Sequence, residues 1–164
     1  MNNPKLVALV LAASVVLAGS IASAQTPPPS YGAPLSLDQA KKAMTGAEAE
    51  AVKNKWNVVI AIVDSGGNLV MLQRMDNTQF GSIDVAKSKA HTAVAFRRPT
   101  KVFQDLIGQG GPNLRLLNLQ GASLLEGGVP IVVNGQIVGG IGVSGVTSEQ
   151  DAQIAMAGAT AMTK

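Results

Sequence analysis

Cysteine is absent from the 164-residue sequence, and histidine and tryptophan occur once each. Without cysteine there can be no disulfide, thiolate metal site, cysteine nucleophile or lipid-modified cysteine anchor. A lone histidine argues against a protein-only zinc centre, because a structural site needs four ligands. Aromatic residues make up 3% of the chain and the formal net charge is only +3. Nucleic-acid binding usually needs a basic stripe and stacking platforms, and neither is present. No G-x-S-x-G elbow occurs, so nothing marks a hydrolase nucleophile.

What is present begins with a leader. Lys5 precedes the apolar run Leu6–Ala18, and Ala22-Ser23-Ala24 forms an A-x-A site. This pattern predicts a secretory signal peptide over 1–24, cleaved before Gln25, and hence a periplasmic or secreted protein. The apolar run falls short of the roughly 20 residues that a membrane span needs. Residues 25–34, QTPPPSYGAP, read as an extended, solvated linker. Residues 35–164 then form one domain of ordinary size.

Periodicity supplies the elements. Ser36 and Gln39 make a capping box ahead of a helix over about 37–55. The apolar run at 57–64, the turn Ser65-Gly66-Gly67-Asn68 and the alternating run from Leu69 to Met75 predict a β-hairpin. Ser82 is placed to cap a helix over about 83–96, whose apolar face is mostly alanine. A short helix follows over about 100–107, with Gly108 as its stop. Leu114–Leu125 fits either a helical turn or an edge strand. Asn134-Gly135 is a type I′ hairpin signal between two apolar runs, and a last helix covers about 148–162. Val58–Val63 shows no polar alternation, so helices should cover both faces of its sheet. The predicted fold class is therefore α/β (α+β), a three-layer α/β/α domain.

Gly140-Ile141-Gly142-Val143-Ser144-Gly145 spells G-x-G-x-x-G. A dinucleotide fingerprint needs a parallel βαβ unit and an acidic residue about 20 positions on. Here the strand enters from an Asn-Gly hairpin, and no such acid follows in the sequence. The plainer reading is that these glycines permit a bend and close backbone approach.

Three further features carry chemistry. His91 shares a helix side with Asp84 and Lys87, away from the alanine face. An ordinary surface histidine competes there with an iron or haem ligand, since imidazole commonly holds haem iron. Arg97-Arg98-Pro99-Thr100-Lys101 is the densest basic cluster. It reads either as a solvated helix corner or as an anion site, with guanidinium forks for carboxylates and Phe96 and Phe103 offering ring contact. Met71 and Met75 on the second strand read as core filling. Asp64 reads as turn chemistry.

Three separated segments resemble the GlcG/HbpS family of haem-binding proteins, which is related to the carboxy-terminal domain of PduO-type proteins. They are IAIVDSGGNLVMLQRMD (60–76), KAHTAVAFRRPTKVF (89–103) and GGVPIVVNGQIVGGIGVSGVTSEQD (127–151). The resemblance implies a profilin-like fold with a five-stranded antiparallel sheet, assembly into oligomers, and haem as cofactor. It places Thr100 in a shared P-T segment as a haem-contacting residue. His91 as metal ligand, with Arg97, Arg98 and Lys101 near the propionates and Phe103 against the ring, is an inference from chemistry. The expected function is an exported haem-binding protein that handles or senses haem. The expected partner is haem or another flat anionic small molecule, and one alternative function is an enzyme or accessory protein acting on a small organic acid. A second is a structural or signalling module acting through its oligomer surface, with the alanine-rich second helix as the interface.

Overall fold

The structure, a computed structural model, describes residues 27–163. The leader expected at 1–24 lies outside the described residues. Among those described, no helix is long and apolar enough to cross a membrane.

Ten short elements follow one another: β1 (Ser30–Tyr31), α1 (Leu37–Asn54), β2 (Val59–Asp64), β3 (Leu69–Arg74), α2 (Ser82–Ala95), α3 (Lys101–Gly108), a 3-10 helix (Gly111–Asn118), β4 (Gly128–Val133), β5 (Gln136–Ser144) and α4 (Ser148–Ala161). The expected capping box starts α1, with Ser36 Oγ accepting from the Gln39 amide. A second one, Thr147 with Gln150, starts α4. Ser82 does not cap α2. That position belongs to Gly81, and the Ser82 hydroxyl is buried against Ser144 Oγ at 3.1 Å. Gly108 is the last residue of α3 rather than a stop beyond it, and the positive φ falls two residues later at Gly110 (67°).

Strand β5 is the hub of the sheet. It pairs antiparallel with β4 along one edge and with β2 along the other, and β2 pairs antiparallel with β3. The expectation of a wholly antiparallel five-stranded sheet is corrected by β1. Its two residues pair parallel to Gln136 and Ile137 of β5, beyond the end of β2. The stretch expected as a linker thus adds the fifth strand, while Leu114–Leu125 adds none. Tyr31 fixes this strand by donating its hydroxyl to the carbonyls of Val94 (3.0 Å) and Ala95 (3.2 Å) at the end of α2.

Each face of the sheet has its own core. Val58, Ile60, Ile62, Ile141 and Val143 pack against α1 and α4, where Ala43, Ala47 and Ile154 face them. Val59, Ala61 and Val63 pack on the other face against Ala86, Ala90 and Val94 of α2. Met71 and Met75 fill the edge of the first core, as read from the sequence.

The glycine string explains how α2 sits so close. A Cβ at Gly140 would lie 2.6 Å from Val94 Cγ2, and one at Gly142 would overlap the Ala86 carbonyl and the Ala90 amide. Alanine on the helix and glycine on the strand therefore let the two backbones nearly touch. The alanine face is spent on the sheet, so it is not available as an oligomer surface.

One ion pair links the two helical layers. Lys89 on α2 is 2% exposed and Asp151 on α4 is 3% exposed. The Lys89 ammonium donates to Asp151 Oδ2 at 2.8 Å and to the Val143 carbonyl at 2.9 Å. It passes beside Gly127, where a Cβ would lie 2.7 Å from Nζ. Burial pushes the Asp151 carboxyl above its usual range, opposed by the ammonium and by backbone amides.

Candidate functional site

The exposed His91 lines an open cleft of about 370 Å³ between α2 and the β2–β3 turn. Val63, Gly67 and Leu69 form one wall, and Asp84, Lys87 and Ser88 share the helix wall with the imidazole. Helical spacing puts Lys87 one turn before His91. Among the described residues no hydrogen bond occupies the imidazole. Lys87 pairs with Asp84 at 3.1 Å, and both remain open to solvent.

The turn opposite His91 is rigid. Asp64 Oδ1 accepts the amides of Gly66 and Asn68, each at 2.9 Å. Burial presses the Asp64 pKa upward, but the hydrogen bonds from Asn68, Gly66 and Gly67 outweigh it and hold the carboxyl below its ordinary range. Gly67 has φ 83°, and a Cβ there would lie 2.8 Å from His91 Cδ2. Glycine is thus required both by the backbone and by the ring it faces.

The basic corner is a separate place. Thr100 is fully buried and accepts the Gly128 amide through Oγ1 at 2.9 Å, while its own amide donates to the Gly128 carbonyl at 3.0 Å. Phe103 is buried and meets Phe96 edge to face, with centroids 5.2 Å apart. Arg97 has φ 52° and lies over the Tyr31 ring at 5.7 Å. Arg98 lies 5.8 Å from the Phe103 centroid and donates Nε to the Phe96 carbonyl. Lys101 pairs with Asp105 at 2.7 Å, which raises its pKa despite partial desolvation. The structure therefore brings Thr100, Phe103 and Arg98 together, but it places His91 in a different cleft from Lys101.

Sequence reading joined Lys87 to His91 by helical spacing, but it missed Gly67 as the residue facing the ring, and it missed Lys89. The last had a visible signal. Lys89 stands three residues after Ala86 and four before Ala93, on the alanine stripe itself. A charge at that position has to be buried and paired.

The fold is thus a two-faced α/β domain that presents an accessible imidazole on an open cleft. Residues 35–160 match the family described as "Haem degrading protein HbpS-like", and the chain belongs to that family. It is 41% identical over 110 residues to Protein GlcG of Escherichia coli K12, a match covering 67% of this chain and 81% of GlcG. A double mutant of Streptomyces reticuli HbpS superposes with a TM-score of 0.71 at 32% identity, covering 95% of this chain and 97% of that one. A PduOC–haem complex gives the same TM-score at 31% identity, covering 78% and 94%.

Proposed function

We propose that this chain is an exported haem-binding protein, working as an oligomer in haem handling or sensing, on a profilin-like variant of the three-layer fold. The carrying observation is an unpaired, exposed imidazole on an open cleft in a chain similar to a protein crystallised with haem. The residues fit the group. His91 supplies a nitrogen ligand for iron, and Val63, Gly67 and Leu69 supply an apolar wall for one face of a macrocycle. Lys87 stands one turn before His91, and the Arg97–Lys101 corner lies beyond the other end of the helix. Lys87 would offer a propionate positive charge beside His91, while Arg97, Arg98 and Lys101 form a separate corner outside the cleft. Thr100 and Phe103 hold that corner in shape by anchoring it to Gly128 and Phe96. Bound haem supplies the redox and ligand-sensing chemistry, while the protein binds and orients it.

Assembly has a surface available. Leu114, Leu117 and Leu125 are exposed on and after the 3-10 helix, at 48%, 64% and 51%. An oligomer contact there would cover these side chains.

Titrating hemin into the folded protein tests the reading. A Soret shift at micromolar protein, lost in His91→Ala, is expected. No shift in the native protein defeats haem binding, and a shift unchanged in His91→Ala defeats the ligand assignment.

A further inference from the structure

A second cavity, of about 190 Å³, opens where α3, the start of β4 and α4 meet. Pro99, Val129, Ala152 and Met156 line it, with the bare backbone of Gly127-Gly128 between them. Its lining is apolar apart from Glu126 and Lys101 at one side. It shares no residue with the His91 cleft and is about half that cleft's volume.

Glu126 is the unusual member. The residue is 7% exposed yet forms part of the cavity wall. It is clamped in place, because its amide donates to Gln104 Oε1 at 2.8 Å and its Oε2 accepts from Gln104 Nε2 at 3.3 Å. Lys101 lies 3.9 Å from Oε2, but its ammonium is already engaged by both oxygens of Asp105 at 2.7 and 2.9 Å. Among the described residues, Oε1 of Glu126 receives no hydrogen bond. A mostly buried carboxylate gains most from a partner that brings both charge and a donor. Lys101 is shared between Asp105 and Glu126, so the three groups together carry one net negative charge.

We propose that this cavity is a binding site for a compact organic cation, a primary ammonium on a short apolar body. The ammonium donates to Glu126 Oε1, and the body lies against Val129, Ala152 and Met156. The site is independent of haem binding at His91. The Gln104 clamp means the carboxylate does not have to be ordered when the ligand arrives, which lowers the cost of binding.

Protein carrying 13C-methyl methionine allows the Met156 methyl to report occupancy directly. The probes are benzylammonium, benzyl alcohol and benzoate, which share a ring and differ in charge. Benzylammonium is expected to shift the Met156 signal and to bind at least tenfold more tightly than benzoate. Glu126→Gln is expected to weaken benzylammonium at least fivefold and leave benzyl alcohol unchanged. Ala152→Phe, which fills the cavity, is expected to abolish both responses while hemin titration is unaltered. Equal binding of benzoate and benzylammonium overturns the proposal, as does an unchanged response in Glu126→Gln. A Met156 shift on concentrating the protein alone, with no further response to the amine, also overturns it by showing that another copy fills the cavity.

Discussion

At the scale of single residues, the β2–β3 turn shows how a carboxylate governs its surroundings. Asp64 gathers the amides of Gly66 and Asn68 and thereby sets the wall that faces His91. Its folded-state pKa lies below the unfolded value near 3.8. In the interval between the two values the unfolded chain binds more protons, so stability rises with pH there. The contribution is complete above the unfolded value and is lost as pH falls through the folded one. Asp64→Asn should therefore lower stability by about 1 kcal/mol at neutral pH. It should also flatten the acid limb of the stability curve, as urea denaturation across pH 2 to 7 will show (about the interval over which carboxylates titrate). An equally steep acid limb in the variant would assign the acid sensitivity to another group.

At the scale of elements, the same residue type has opposite consequences in two helix environments. Gly142 lies under α2, so Gly142→Ala forces the helix off β5 and should cost about 3 kcal/mol or prevent folding. Gly108 is the last residue of α3, has no left-handed backbone, and has nothing within 4 Å of where a Cβ would stand. Gly108→Ala should stabilise by about 0.5 to 1 kcal/mol, since alanine loses less backbone entropy and favours helix. Thermal melts of the two variants should move in opposite directions, and a fall in both would break the close-approach explanation. The contrast also marks what the sequence could reveal. Helix starts at Ser36, the two hairpins and the two-faced burial of Val58–Val63 were legible because capping, turn chemistry and missing alternation are local signals. Strand β1 was not, because Ser30-Tyr31 makes its pairing to Gln136 and Ile137 across more than a hundred residues. The His91 cleft was half legible. Helical spacing joined Asp84, Lys87 and His91, while Gly67 entered only through the folded hairpin.

At the scale of the whole molecule, the sheet separates two helical layers, and Lys89 is the group that reaches from one to the other. It satisfies Asp151 in the first turn of α4 and the Val143 carbonyl near the end of β5. Taking a charged pair out of water is costly, and such a pair is weak evidence for net stabilisation. Removing one member is severe, because the other stays buried and unpaired. Lys89→Met should accordingly cost about 3 to 5 kcal/mol. The double variant Lys89→Met/Asp151→Leu should recover much of that loss, because neither charge remains. Its recovery should stop short of complete, since the Val143 carbonyl loses its donor, a deficit of about 1 to 3 kcal/mol. A double-mutant cycle by urea denaturation measures the coupling. Additive losses would mean that Lys89 and Asp151 each find other partners, and the two layers would then be held by their separate apolar cores alone.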